Sequence, residues 1–129
     1  QRLALSLLEM GCREISLGDT IGVATPRQVE LLLDVVLAQI PVAALAVHFH
    51  DTRQRALACI GVALKYGVRV FDASVGGAGG CPFAPGAKGN VATEAVVGLL
   101  ADEGYETGID MEALRDAAIF IKGLLSRAS

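Results

Sequence analysis

The chain holds only two histidines, and both fall inside Ala46-Val47-His48-Phe49-His50-Asp51-Thr52. Successive side chains of a β-strand point to opposite faces, so this spacing puts both imidazoles on one face, about 7 Å apart along the strand. Two neutral imidazoles so placed can bind one divalent metal, with carboxylate or carbonyl oxygens completing the shell. The competing reading is a pair of core histidines satisfied by backbone carbonyls. Farther along, Gly76-Gly77-Ala78-Gly79-Gly80-Cys81-Pro82 sets a cysteine in a glycine-rich stretch, the arrangement expected of a loop that covers a site. These residues favour a metal-dependent enzyme.

The scaffold that must hold them reads as repeated strand–helix units. Residues 1–10 form the end of a helix, with Leu3, Leu7 and Leu8 on one side and Gly11 as its stop. Residues 12–17 are predicted as a strand that ends in Gly18-Asp19-Thr20. Thr25-Pro26 starts a helix, threonine as N-cap and proline at the first helical position. It carries Val29, Leu32, Leu33, Val36 and Leu37 at helical spacing and ends before Pro41. Residues 44–48 are a continuous apolar run, as buried parallel strands are. Asp51-Thr52 opens a helix with Ala56, Leu57, Ile60, Ala63 and Leu64 on its buried face, stopped by Gly67. Residues 68–74 are the third strand and 76–90 the glycine-rich loop. Residues 93–100 and 110–125 are helices, separated by a break at Glu103-Gly104.

Repeated units of this kind require right-handed crossovers and a parallel sheet. Polar residues gather where each strand ends: Asp19 and Thr20, then His48, His50 and Asp51, then Asp72 and Ser74. The carboxyl ends of parallel strands are where such folds bind ligands. Three strands cannot close a β/α barrel, which takes eight. The fold class is therefore α/β, either the C-terminal part of a (β/α)8 TIM barrel or a short doubly wound domain.

At 129 residues there is room for one domain with a core. A hydrophobic fraction of 53% is high for so small a chain, so its elements must be covered by a larger body or by another copy, a homo-oligomer. No apolar run approaches the roughly 18–20 residues that span a bilayer, so no membrane partner is expected. A net charge of −3 with interspersed signs offers no basic stripe, which argues against nucleic acid. Cys12, Cys59 and Cys81 are odd in number and lack CxxC spacing, as free thiols in a reducing compartment do. Cys12 and Cys59 have apolar neighbours and read as buried and inert. The chain opens on Gln1 in mid-pattern, so a preceding segment is expected and targeting cannot be read.

Three stretches taken together carry a resemblance: Glu14-Ile15-Ser16-Leu17-Gly18-Asp19-Thr20-Ile21-Gly22, the His48–Thr52 segment, and Gly79-Gly80-Cys81-Pro82-Phe83-Ala84-Pro85-Gly86-Ala87-Lys88-Gly89-Asn90-Val91-Ala92-Thr93-Glu94. In order and over almost the whole chain, they resemble the hydroxymethylglutaryl-CoA lyase family. The HxHD element is shared with a wider group of metal-dependent barrels that includes isopropylmalate and homocitrate synthases. The cysteine loop is more specific, because those synthases carry a different loop. The resemblance implies that residues 1–129 are a partial TIM-barrel domain, strands six to eight with the terminal helices. It implies a retro-Claisen cleavage of 3-hydroxy-3-methylglutaryl-CoA to acetoacetate and acetyl-CoA, hence an acyl-CoA substrate, with bound Mg²⁺ or Mn²⁺ as Lewis acid and template. By the family's pattern His48, His50 and Asn90 match metal ligands, Cys81 matches the loop cysteine needed for catalysis, and Asp19 matches a site aspartate. Location would be the cytoplasm or the mitochondrial matrix.

The family takes a further aspartate ligand and an arginine from its first strand, which would lie in the missing N-terminal half of the barrel. The resemblance thus implies a chain that is inactive alone. Arg53-Gln54-Arg55 replaces the family's Tyr-Gly-Gln, and Cys59 stands where asparagine is common; both departures fall on the helix after the histidine strand.

Several residues keep two readings. Asp19 either caps the turn after its strand or relays the substrate hydroxyl proton. The base is left open among Asp19, His48 and a metal-bound species. Asn90 is also a plausible helix N-cap, with Glu94 in the first turn. Lys88 either approaches a CoA phosphate or is a solvated loop lysine, and Asp72 and Ser74 serve structure or back up the site. Two other functions compete: another acyl-CoA lyase or synthase of the same barrel group, and a non-catalytic half-barrel, fragment or split subunit, that self-associates through open sheet edges.

Overall fold

The computed structural model describes residues 1–80 and 89–128. Its elements follow the order α1 (Arg2–Glu9), β1 (Ile15–Asp19), α2 (Pro26–Leu37), β2 (Leu45–Phe49), α3 (Ala56–Lys65), β3 (Val70–Asp72), α4 (Thr93–Asp102) and α5 (Met111–Ala128). Local chemistry sets the start of α2. The Thr25 hydroxyl accepts the Gln28 amide at 3.3 Å, and the Gln28 side chain accepts the Thr25 amide at 2.9 Å. This reciprocal capping box satisfies two amides that the first helical turn leaves unpaired, and Pro26 brings none. Helix α3 ends as glycine permits. Gly67 takes φ +95° and its amide donates to the Leu64 carbonyl at 3.0 Å, while the Val68 amide donates to the Ala63 carbonyl at 3.1 Å.

The three strands pair in parallel in the order β1-β2-β3. Ile15 lies opposite Leu45 and Asp19 opposite Phe49, while Ala46 faces Val70 and His48 faces Asp72. Alternation then divides the sheet. Ile15, Leu17, Leu45, Val47 and Phe49 face the helices and pack with Leu33 and Val36 of α2 and with Cys59, Ile60 and Ala63 of α3. Ser16, Gly18, Ala46, His48, Val70 and Asp72 face the other way. Of these, Ser16, Gly18, Val70 and Asp72 are exposed. A sheet with helices on one side and a bare, partly polar second side is a barrel wall seen from within.

Strand limits differ from the sequence pattern. The first two strands run 15–19 and 45–49 rather than 12–17 and 44–48, because ladder pairing with a neighbour, not apolarity, defines a strand end. The third is only Val70–Asp72, since Val68 is used to close α3, and Ser74 makes a single parallel bridge to Ala92. Helix α3 opens at Ala56 rather than at Asp51. Its N-cap position is Arg55, which makes no side-chain cap bond, and the Asp51 carboxylate accepts the Ala56 amide at 3.0 Å across a turn in which Gln54 takes φ +55°.

Burial also corrects two expectations. Cys12 is exposed, because it closes α1 in the turn after Gly11, ahead of β1 and outside both layers. Leu3 points to solvent while Ala4 is buried. The apolar surplus of the composition is displayed outside, on Leu31 and Val35 of α2 and on Ile119 and Phe120 of α5.

Candidate functional site

His48 is the fourth residue of β2 and stands on the bare side of the sheet. Its Nδ1 lies 3.3 Å from the Asp72 carbonyl oxygen. A carbonyl only accepts, so this contact is a hydrogen bond when Nδ1 carries the proton, which leaves the Nε2 lone pair free for a cation. His50 follows one step beyond the strand, and the two rings meet edge to face with centroids 5.0 Å apart. Nδ1 of His50 and Oγ1 of Thr52 are buried and have no hydrogen-bond partner among the described residues. Orphaned buried polar atoms are rare, so these two are open to a further group.

The third donor comes from the return of the glycine-rich loop. Residues 89–92 run beside the ends of β2 and β3. The Asp51 amide donates to Gly89 at 2.7 Å, Val91 to Phe49 at 3.3 Å, and Ser74 to Val91 at 3.1 Å. Asn90 therefore bridges to His50, and its Nδ2 donates to the Ala78 carbonyl at 2.9 Å. With the amide nitrogen so used, Oδ1 is the atom left to face a cation. Asn90 is not the cap of α4: that position is Ala92, which makes no side-chain cap bond. Glu94, in the first turn as anticipated, accepts the Gly76 amide at 2.8 Å and lies 4.0 Å from Lys122 on α5. Both stems of the loop are thus tied down, the outgoing one by Glu94 and Asn90, the returning one by the strand ends. Cys81 and Lys88 lie outside the described residues.

Asp19 sits elsewhere than the histidines. Pairing with Phe49 puts it on the helix side of the sheet. Its Oδ1 accepts the amides of Gly22 at 3.1 Å and Val23 at 3.2 Å, and its Oδ2 accepts Ala24 at 3.0 Å. Three backbone donors make it the anchor of the β1–α2 loop, and of its two readings the turn cap is the one these bonds describe. That loop in turn touches the histidine segment. Gly22 takes φ +67°, and a Cβ there would lie 2.5 Å from Thr52 Oγ1 and 2.8 Å from the His50 carbonyl oxygen.

Two residues gain a place that spacing alone did not assign. Asp72 offers its carbonyl to His48, and its Oδ2 accepts the Ser16 hydroxyl at 2.8 Å. Ser16 was legible as a member of the histidine face only once the register was known. Cys59 is buried, and desolvation, helped by the negative charge of Asp19, pushes its thiol up to about 11. It is an inert packing residue. Among the described residues no group of three or more His, Cys, Asp or Glu gathers to hold a metal, so the donor set on offer is two imidazoles and one amide oxygen.

Comparison with known proteins follows the same lines. The HMGL-like family model matches residues 2–121. Hydroxymethylglutaryl-CoA lyase of Pseudomonas mevalonii is 51% identical over 128 residues, covering 99% of this chain and 42% of that protein. The HMG-CoA lyase structure from Brucella melitensis superposes with a TM-score of 0.93 at 57% identity, over 95% of this chain and 44% of the other. A second structure, from Acinetobacter baumannii, is an HMG-CoA lyase in complex with coenzyme A and 3-methylmalate, with TM-score 0.87, 42% identity, and coverage of 97% and 41%. The chain thus spans about two-fifths of the length of the relatives it matches. Those relatives include bacterial, mitochondrial and cytoplasmic forms.

Proposed function

Because this chain belongs to the HMGL-like family, a metal-dependent lyase family, we propose that it supplies the last three βα units of a TIM barrel that cleaves 3-hydroxy-3-methylglutaryl-CoA. The products are acetoacetate and acetyl-CoA. The observation that carries the proposal is the joining of His48, His50 and Asn90 at one end of a parallel sheet, in a chain about half identical to named lyases.

In this reading His48 presents Nε2, His50 presents a ring nitrogen and Asn90 presents Oδ1 to a divalent cation. Mg²⁺ or Mn²⁺ is the cation we propose, since both accept a carbonyl oxygen and complete their shells with water or carboxylate. When bound, the metal supplies Lewis acidity and a template for the substrate oxygens. The remaining chemistry belongs to side chains. Cys81 comes three residues after Ala78, where Asn90 ties the outgoing stem, and is proposed to pass a proton at the departing enolate. His48, with Nδ1–H on the Asp72 carbonyl and Nε2 turned to the cation, has no lone pair left to take a proton itself. It is proposed to assist loss of the substrate hydroxyl proton by holding the cation that would acidify that hydroxyl. Asp19 is proposed to serve the site through the β1–α2 loop that it holds against residues 50–52. The acyl-CoA substrate is proposed from the relative that holds coenzyme A.

A half-barrel reading stands beside this one. The bare side of Ser16, Gly18, Val70 and Asp72 supports a chain that needs the remaining strands, or a second copy, before it can act. Among the described residues no helix is long and apolar enough to cross a membrane. The test is acetoacetate release from 3-hydroxy-3-methylglutaryl-CoA with Mn²⁺, with and without chelator, by this chain alone and with the first part of a lyase barrel added. Chelator-sensitive release that requires the added strands and disappears with Cys81→Ala supports the proposal. Release that ignores chelator, or survives loss of Cys81, refutes it.

A further inference from the structure

We infer that Asp72 is a positioning residue for His48, and that its tie to Ser16 is what holds it in that role. The inference rests on the reading of His48 as a metal ligand. Ser16 and Asp72 belong to β1 and β3, the two strands that flank β2. Ser16 lies level with Ala46, and Asp72 lies level with His48. Their 2.8 Å hydrogen bond therefore crosses over β2 between Ala46 and His48. Neighbouring strands are about 4.8 Å apart, so side chains two strands apart meet only where the strand between them carries something small. Ala46 is that residue on the shared face.

The consequence falls on the imidazole. The same Asp72 whose side chain is clamped to Ser16 offers its carbonyl oxygen to His48 Nδ1 at 3.3 Å. A carbonyl acceptor selects the Nδ1–H tautomer and turns the Nε2 lone pair outward, as outer partners of ligating histidines do. Free imidazole side chains favour the opposite tautomer, so the selection has to be maintained by geometry. Asp72 is the last residue of β3 to pair with β2, and the clamp across the sheet adds a second hold at that end. Among the described residues His50 makes no such bond through Nδ1, so the device acts on one histidine of the pair.

The test reads the tautomers directly. The chain has only two histidines, so long-range proton–nitrogen spectra of ring-labelled protein, with the imidazoles neutral and no metal added, show two ring systems. The expected result is Nδ1–H at His48 in the parent chain and a shift toward the free-imidazole mixture in Ser16→Ala and Asp72→Ala. Ser16→Thr and Asp72→Asn, which keep a hydroxyl and an acceptor, are expected to retain the parent tautomer. Mn²⁺ affinity measured by electron paramagnetic resonance is expected to weaken by about tenfold or more in the two alanine variants. A parent His48 in the free-imidazole mixture overturns the inference, and so does an alanine pair that leaves both tautomer and affinity unchanged. Because the tautomer is read without metal or substrate, it can fail while lyase activity stands, and can hold if activity is absent.

Discussion

Replacing Gly22 with alanine should damage the histidine segment from a distance in sequence. Two costs combine. At φ +67° an alanine occupies the left-handed region, a penalty of about 1–2 kcal/mol. The new methyl would also lie 2.5 Å from Thr52 Oγ1, 2.8 Å from Thr52 Cβ and 2.8 Å from the His50 carbonyl oxygen. Thr52 could rotate, but the carbonyl can yield only if the chain beyond β2 moves, and it carries His50 with it. Forced overpacking of this kind costs about 1–3 kcal/mol. The total, about 2–5 kcal/mol, is a large share of the roughly 5–15 kcal/mol that stabilises an ordinary domain. With a urea m-value of about 2 kcal/mol/M, denaturation should show it as a midpoint lowered by about 1–2.5 M. Gly11 is the internal control: it takes φ +98°, yet a Cβ there meets nothing within 4 Å, so Gly11→Ala bears the conformational cost alone. Mn²⁺ affinity should fall in Gly22→Ala and hold in Gly11→Ala. Equal denaturation midpoints for the two variants would refute the claim that the β1–α2 loop braces the site.

Other outcomes follow from single contacts. His50→Ala should lower Mn²⁺ affinity by tenfold or more, read by titration, and a chain that binds as before would remove His50 from the ligand set. With its thiol pushed up to about 11, Cys59 stays protonated and unreactive at pH 8, whereas exposed Cys12 should alkylate quickly; mass mapping of iodoacetamide adducts checks this. The sign of the linkage is that a raised thiol pKa stabilises the fold below pH 9, and this contribution is lost as pH rises through about 11. Glu94→Ala removes the acceptor of the Gly76 amide and should cost about 1–3 kcal/mol in urea melts, whereas Glu94→Gln should retain most of it.

Much of this molecule is local, and local features are legible in a string of residues. The Thr25 cap ahead of Pro26 and the glycine stop at Gly67 depend on partners a few positions away, so their residue types announce them. The HxHD spacing likewise places His48 and His50 together, because strand alternation is a property of one chain segment. What alternation cannot supply is register. Only pairing with β2 shows that Asp19 falls on the helix side while Ser16 and Asp72 share the face of His48. Asn90 illustrates the same limit. Its type fits a helix cap as well as a ligand, and the contact that separates the two, to Ala78, is made by a turn of the loop that no periodicity encodes. Residue types and short-range spacing therefore determined the elements, their order and the candidate donors, because helix and strand geometry repeats within a few residues. Which donors converge, which carboxylate turns to the backbone and which cysteine is buried were decided by the tertiary structure, because those outcomes depend on hydrogen bonds and packing between segments far apart in the chain.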